Sequence, residues 1–240
     1  LYIRTVFVVL VNLFVSRIIL DKLGVTDYGI FILVGGIVSV LGLFQSVMAS
    51  AVSRFFTIEL GKNNFAKLNQ YFRVVIIIYI GIALFFLFLS ETLGLWFLQY
   101  KILIPPDRAF AAFYVFQFSV LTLLANIFTV PYNAMIISHE RMNVFALVGI
   151  AEVMFKIILV YILTIIQFDK LIFYSFSIFL ISILVLLLNY LFCRKSFLET
   201  KFSWYWNYSM FREMMSYSFW SLFGAMASVA RNQGINIILG

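Results

Sequence analysis

The chain has 240 residues, of which 64% are hydrophobic and 11% charged, and its formal net charge at pH 7 is +7. Soluble domains carry about 25% charged residues, so this composition excludes a soluble globular protein. It predicts an all-α polytopic membrane protein, and it favours headgroups over nucleic acid as the partner of the basic residues.

Long apolar runs divide the chain into predicted membrane spans, each of which needs about 20 apolar residues. We expect the spans near 1–20, 28–55, 74–98, 109–138, 143–166, 171–193 and 214–240. The first residue is leucine and the chain ends within an apolar run, so we expect it to be a fragment of a longer protein. The predicted organisation is a six-helix bundle over 1–193, an interfacial linker over 194–213, and the start of a second bundle over 214–240.

The connections between the predicted spans are short, so no soluble catalytic domain fits between them. The connections after spans two, four and six carry eight basic residues, whereas those after spans one, three and five carry four. This bias predicts that the N-terminus is cytoplasmic. Trp204, Tyr205, Trp206 and Tyr208 lie beside charged residues, which predicts an interfacial helix over 203–213 on the inner leaflet.

Single charged residues interrupt several apolar runs. Arg17, Arg54 and Arg231 lie in the first, second and seventh runs. An ionisable side chain in hydrocarbon is costly, so it usually faces a bundle interior or a water-filled cavity. Arg17 and Arg54 lie near span ends, where their side chains can instead extend to the headgroups. For these two arginines, a cavity position and a headgroup position both stay open.

Two polar groups lie deeper in the predicted spans. Arg231, Asn232 and Gln233 are consecutive, and this cluster favours a face that lines a transport pathway over a face that contacts lipid. Glu152 and Lys156 are four residues apart in span five, so they lie on one helix face and are predicted to form an ion pair. That pair is either a structural contact with a neighbouring helix or a site of gating or ion coupling.

Several local strings resemble one protein family. They are SRIIL at 16–20, LG at 23–24 and DYGI at 27–30; ASAVSRF at 49–55 and ELG at 59–61; and VPYNAMII at 130–137 with HERM at 139–142. In this order and at these spans, the strings resemble bacterial polysaccharide and O-antigen flippases. That family belongs to the superfamily that also holds the MATE multidrug exporters and the lipid II flippase.

The resemblance implies a MATE-like fold of two six-helix bundles, related as parallel repeats across a central cavity. The chain would then hold the first bundle and the first helix of the second. The implied substrate is a polyprenyl-diphosphate-linked oligosaccharide for O-antigen or capsule synthesis. Because arginine forks match phosphate geometry, Arg231, Asn232, Gln233, Arg17 and Arg54 become the expected substrate-binding residues, on spans one, two and seven.

The same resemblance implies a bacterial cytoplasmic (inner) membrane protein whose partners are the lipid-linked substrate, membrane lipids, and a polysaccharide polymerase with other assembly proteins. We expect no catalytic residue, metal site, cofactor or nucleic-acid partner. His139, the single histidine, is expected to be a solvated loop residue. One alternative is a multidrug or cation-coupled exporter, although the first run has no acidic residue before Asp21. Another is a polytopic enzyme of polysaccharide assembly, which would need catalytic groups on a large loop.

Overall fold

The computed structural model describes the backbone of residues 2–100 and 104–239. Side chains are described there except at 2–4, 7, 37, 39–47, 99, 222, 225–226 and 228–239. Within this part, the chain is all-helical and contains no strand, as the composition predicts. The main helices are α1 (Tyr2–Gly61), α2 (Phe65–Leu89), α3 (Leu95–Tyr100), α4 (Ala109–Ser138), α5 (Met142–Ile165), α6 (Lys170–Ser196) and α7 (Tyr208–Leu239).

Helix α1 contains the first two predicted spans, which are separated by a kink at Gly24. The backbone there has φ 80° and ψ 166°, a conformation that is essentially restricted to glycine. The residues on either side are helical. The break lies within the expected connection over 21–27, but it is much shorter than expected, because one glycine is sufficient to interrupt the helix.

Helix α2 begins nine residues before the predicted third span, at Phe65 instead of residue 74. Its first turn is capped by Asn64, whose side chain accepts a hydrogen bond of 3.1 Å from the backbone N–H of Lys67. This cap satisfies one of the free N–H groups of the first turn, so the helix can begin before the apolar run. The predicted connection over 57–73 is therefore too long, and only 62–64 separate α1 from α2.

A π-helix over Ser90–Gly94 joins α2 to α3. Gln117 of α4 donates a hydrogen bond of 3.3 Å to the carboxylate of Glu91 in this segment. Gly94 lies against the ring of Phe116, where an added Cβ would approach the ring at 2.7 Å. Close packing thus requires a glycine where the wide turn meets α4.

Helices α4, α5 and α6 agree with the sequence prediction. The bounds of α4 match it, those of α5 differ by one residue at each end, and α6 is slightly longer. Helix α4 continues through Pro131 and packs most extensively against α6 and α1. Large core side chains such as Phe56, Phe72 and Phe116 are buried between these helices and α2.

The predicted interfacial helix over 203–213 is only partly correct. Residues 201–207 are not helical, and α7 begins at Tyr208. The side chain of Asn207 accepts hydrogen bonds from the backbone N–H groups of Ser209 at 2.9 Å and Met210 at 3.2 Å. This asparagine caps α7, so the tryptophans lie in an irregular segment before the helix.

The connections gather at two ends of the bundle. At one end, which we call the junction end, Arg108 contacts Asp27 and Asp169. At the other, which we call the basic end, the connections at 62–64, 139–141 and 197–207 meet. The ring of His139 is half-buried and stacks on Phe197 there at 3.9 Å between centroids, so the expectation of a solvated loop histidine is only partly correct.

Four helical stretches are long and apolar enough to cross a membrane. They are Phe65–Leu98, Pro106–Ser138, Met142–Ile165 and Lys170–Ser196. The protein therefore has the character of an all-α membrane protein. The first, second and seventh predicted spans, which include residues whose side chains are not described, stay predictions.

Candidate functional site

Three charged residues meet at the junction end. Nη1 of Arg108 donates a hydrogen bond of 2.7 Å to Asp169, and Nη2 of the same guanidinium donates to Asp27. Asp169 also caps α6, because its second oxygen accepts from the backbone N–H groups of Leu171 and Ile172. One arginine thus ties together the kink of α1, the start of α4 and the start of α6.

The carboxyl group of Asp27 is buried, with a side-chain exposure of 7%. Burial raises the pKa of Asp27, because removal from water disfavours the charged form. The guanidinium of Arg108 lowers that pKa, whereas the negative charges of Asp169 and Asp107 raise it, and the net direction is upward. The junction therefore holds a carboxyl group that protonates more readily than a solvated aspartate.

A polar cavity of about 260 Å³ lies near this junction. It is partly open, and it is lined by residues of both halves of α1 and of α5 and α6. Half of its ten lining residues are polar, namely Asn12, Ser16, Tyr28, Lys156 and Tyr174. Tyr28 directly follows Asp27, and Tyr174 is five residues after Asp169. The cavity is thus within two helical turns of the junction.

The predicted ion pair of span five is present and reaches this cavity. Nζ of Lys156 lies 2.7 Å from the carboxylate of Glu152, one turn away on α5. The two side chains are 26% and 39% exposed, so the pair is half-buried. Because Lys156 lines the cavity, the pair brings a charged hydrogen-bonding group to the interior of the helix bundle.

Arg17 is exposed and is not among the residues that line the cavity. It lies on the face of α1 that also presents Leu13, Phe14 and Leu20, which are exposed by 64%, 65% and 40%. Among the described residues, Arg17 forms no ion pair. Asp21, one turn after Arg17, is exposed on the same face and pairs with Lys22, so this face carries one cation and one carboxylate among apolar groups. The cavity residues of α1 lie on the adjacent face.

Arg54 lies far from the cavity, toward the basic end of α1. Its guanidinium carbon is 4.2 Å from the centroid of the Tyr217 ring on α7 and 6.0 Å from that of Phe55. Thirty residues of helix separate Arg54 from Gly24, which is about 45 Å of rise. The structure thus does not bring Arg54 together with Lys156.

Arg231, Asn232 and Gln233 are within the helical backbone of α7. Their side chains lie outside the described residues, so their expected role in substrate binding stays a prediction. Within the described residues, no group of three or more His, Cys, Asp or Glu side chains is arranged to hold a metal ion.

The basic end has its own buried carboxylate. Glu59 is 5% exposed, and its Oε1 lies 3.1 Å from Nζ of Lys67 and 3.5 Å from Nζ of Lys62. Nearby, the hydroxyl of Tyr71 donates a hydrogen bond of 2.9 Å to Glu213 of α7. These contacts join α1, α2 and α7 at this end of the bundle.

Sequence reasoning missed several residues of the candidate site. It treated Asp27, Arg108 and Asp169 as parts of connections, although they are brought together across 61 and 81 residues of chain. It also missed Asn12 and Ser16, whose spacing of four residues in an apolar run places two polar groups on one helix face. That spacing was a usable signal, whereas the junction has no local signal.

Comparison with known proteins identifies no relative: no family model, no curated protein and no solved structure matches the chain.

Proposed function

We propose that this chain is part of a flippase that moves polyprenyl-diphosphate-linked oligosaccharide across the bacterial cytoplasmic membrane, with the MATE-like arrangement that its sequence strings resemble. The observation that carries the proposal is a polar cavity containing Lys156 inside a bundle of membrane-type helices. Ionisable side chains in such interiors characteristically serve transport pathways, ion coupling or gating.

The cavity itself is too small to be the substrate site. Its volume of about 260 Å³ is below the range of pockets that hold even drug-sized ligands, about 300–1,000 Å³. We therefore assign Glu152 and Lys156 to gating or coupling. The substrate would pass along the exposed face of α1 that bears Arg17, between this bundle and a second one.

The arginines provide the affinity for the diphosphate in this proposal. A charge-assisted hydrogen bond contributes about 1.5–3 kcal/mol, and the guanidinium fork matches phosphate oxygens. Arg17 and Arg231 are the cations assigned to this role, with Asn232 and Gln233 beside Arg231. Arg54, which packs on Tyr217, would contribute at the basic end, which we place in the cytoplasm together with the N-terminus.

A cation-coupled exporter is the second candidate, and one observation favours it. Glu152 is a carboxylate held 2.7 Å from an ammonium group that lines the cavity, and an intramembrane carboxylate can take up a proton during transport. In such an exporter, the substrate would be a small cationic compound, and the same pair would be essential for coupling.

The test reconstitutes the full-length protein in liposomes and measures translocation of a fluorescent lipid-diphosphate oligosaccharide. We expect R17Q and R231A each to slow translocation by about 10-fold or more, since each loses one charge-assisted phosphate contact. Lys195→Gln, which removes an exposed cation at the end of α6, is the matched control and should leave the rate unchanged.

Two outcomes would contradict the proposal. An unchanged translocation rate in both R17Q and R231A would show that these two arginines do not bind the diphosphate. The exporter would be established instead if the parent protein exported small cations, translocated no lipid-linked sugar, and lost the cation export in E152Q.

A further inference from the structure

A cleft of about 540 Å³ lies at the basic end, between the first turns of α2 and the 3₁₀ turn Leu198–Thr200 that follows α6. It is distinct from the polar cavity and shares no residue with it. Its lining residues are Phe65, Ala66, Asn69, Arg73, Leu198, Glu199 and Lys201.

The walls of the cleft are held in place by the side chains of Asn69 and Thr200. Nδ2 of Asn69 donates hydrogen bonds to the backbone carbonyls of Glu199 and Lys201, the latter at 3.2 Å. Thr200 secures the same turn, since its hydroxyl donates to the carbonyls of Cys193 and Phe197. The backbone that forms the cleft is therefore fixed by hydrogen bonds within the protein.

The cleft has two cationic groups, Arg73 and Lys201, that form no ion pair among the described residues. Nε of Arg73 is buried and has no hydrogen-bond partner among the described residues. Neither Arg73 nor Lys201 forms an ion pair within the described part of the chain, although Glu199 also lines the cleft. By contrast, Lys62 and Lys67 at the same end are paired with Glu59. Arg73 and Lys201 are thus available to an external anion.

The position of the cleft favours a lipid over a soluble anion. Arg73 is the last residue before the apolar run that starts at Val74, so the cleft is at the level where α2 leaves the hydrocarbon. Phe65 and Leu198 on its rim are 48% and 77% exposed, and Trp204 nearby in the chain is 76% exposed. Exposed aromatic and apolar groups beside basic ones are typical of the headgroup region.

We propose that this cleft binds the phosphate of an anionic glycerophospholipid from the surrounding bilayer, through Arg73 and Lys201, with Phe65 and Leu198 against the upper acyl chains. The site is independent of the proposed transport function. A lipid bound here would stabilise the contact between α2 and the segment that leads to α7, regardless of the transported substrate.

The experiment uses the full-length protein in detergent micelles and follows its thermal melting as phosphatidylglycerol is added. We expect a dose-dependent rise of the melting temperature, absent with phosphatidylcholine and with inorganic phosphate at the same concentration. In R73Q/K201Q, the concentration of phosphatidylglycerol that gives half of the rise should increase on the order of 30-fold, because two surface cations are lost.

Two further variants make the result specific. Lys195→Gln removes a cation at the same end but outside the cleft, and it should respond like the parent. R73K/K201R keeps both charges and should retain most of the response, which separates loss of charge from loss of fold.

An equal response of R73Q/K201Q and K195Q to phosphatidylglycerol would overturn the proposal. So would a rise produced by phosphatidylcholine, which would indicate a general lipid effect. A rise produced by inorganic phosphate alone would replace the lipid site with a site for free phosphate.

Discussion

The two ends of the bundle differ in how their charged residues are paired. At the junction end, one arginine serves two carboxylates, so that Arg108 is fully engaged by Asp27 and Asp169. At the basic end, Glu59 is shared by two lysines, while Arg73 and Lys201 form no ion pair among the described residues. The three junction residues are thus all used in one cross-link, whereas the basic end has a cross-link at Glu59 and also carries cations that are not paired. The positive-inside rule predicts an excess of basic residues at this end if it is cytoplasmic.

The largest loss of stability is expected when the contact of Arg108 with Asp27 and Asp169 is broken. Arg108→Gln would leave the buried carboxylate of Asp27 without its cation, and loss of one partner of a buried pair is strongly destabilising. We expect the free energy of unfolding to fall by about 3 kcal/mol, measured by titration with a denaturing detergent.

The control for this change is D27N/R108Q, which also removes the stranded carboxylate and should recover part of the lost stability. If R108Q unfolds at the same detergent fraction as the parent protein, the junction is a surface contact and the contrast between the two ends disappears.

A smaller effect, specific to the junction, is expected from pH. The pKa of Asp27 is raised above its ordinary value of 3.8, so the folded protein holds this proton over a pH range in which the unfolded chain has lost it. Stability from this group is therefore complete below pH 3.8 and is lost as the pH rises through the raised pKa. The stability of the Asp27→Asn variant should lack this dependence on pH.

The measurement is the difference in melting temperature between the parent protein and D27N across the acidic range, which cancels the other titrating groups. Parallel curves for the two proteins would mean that the pKa of Asp27 is the same in the folded state as in the unfolded chain.

The smallest effect belongs to the basic end. Tyr217→Leu removes the ring beneath the guanidinium of Arg54, which lies 4.2 Å from its centroid. An exposed cation–π contact contributes about 0.5–1 kcal/mol, so the free energy of unfolding should fall by about this amount. Tyr217→Phe keeps the ring and should match the parent. A loss as large as that of R108Q would show that the contact of Arg54 with Tyr217 stabilises the basic end as strongly as Arg108 stabilises the junction.

Local patterns predicted the local features of this molecule well. The bounds of α4 and the ion pair of Glu152 with Lys156 follow from contiguous apolar residues and from a four-residue spacing. Helix ends were missed where polar residues continue a helix beyond the hydrocarbon, as before Arg73 in α2. Apolar length indicates how much of a helix is in lipid, but it does not indicate where the helix ends.

The junction and the cleft could not be predicted, because their residues are distant in the chain. Arg108 is 81 residues from Asp27, and Asn69 is 130 residues from the carbonyl group of Glu199 that accepts its hydrogen bond. Their meeting depends on which helices are neighbours. A single sequence gives the order of spans, but it does not give their arrangement in the plane of the membrane.

The π-helix at Ser90–Gly94 gives the third span two helical phases. Such a turn accommodates one residue more than an α-helical turn, and one residue corresponds to a rotation of about 100°. Leu95–Tyr100 therefore faces its neighbours with an offset relative to Phe65–Leu89. Deleting one residue of the π-helix would leave the rest of the span unchanged in sequence and turn its final segment to a different side of the bundle. The apolar stripe of this span must therefore be traced as two separate segments.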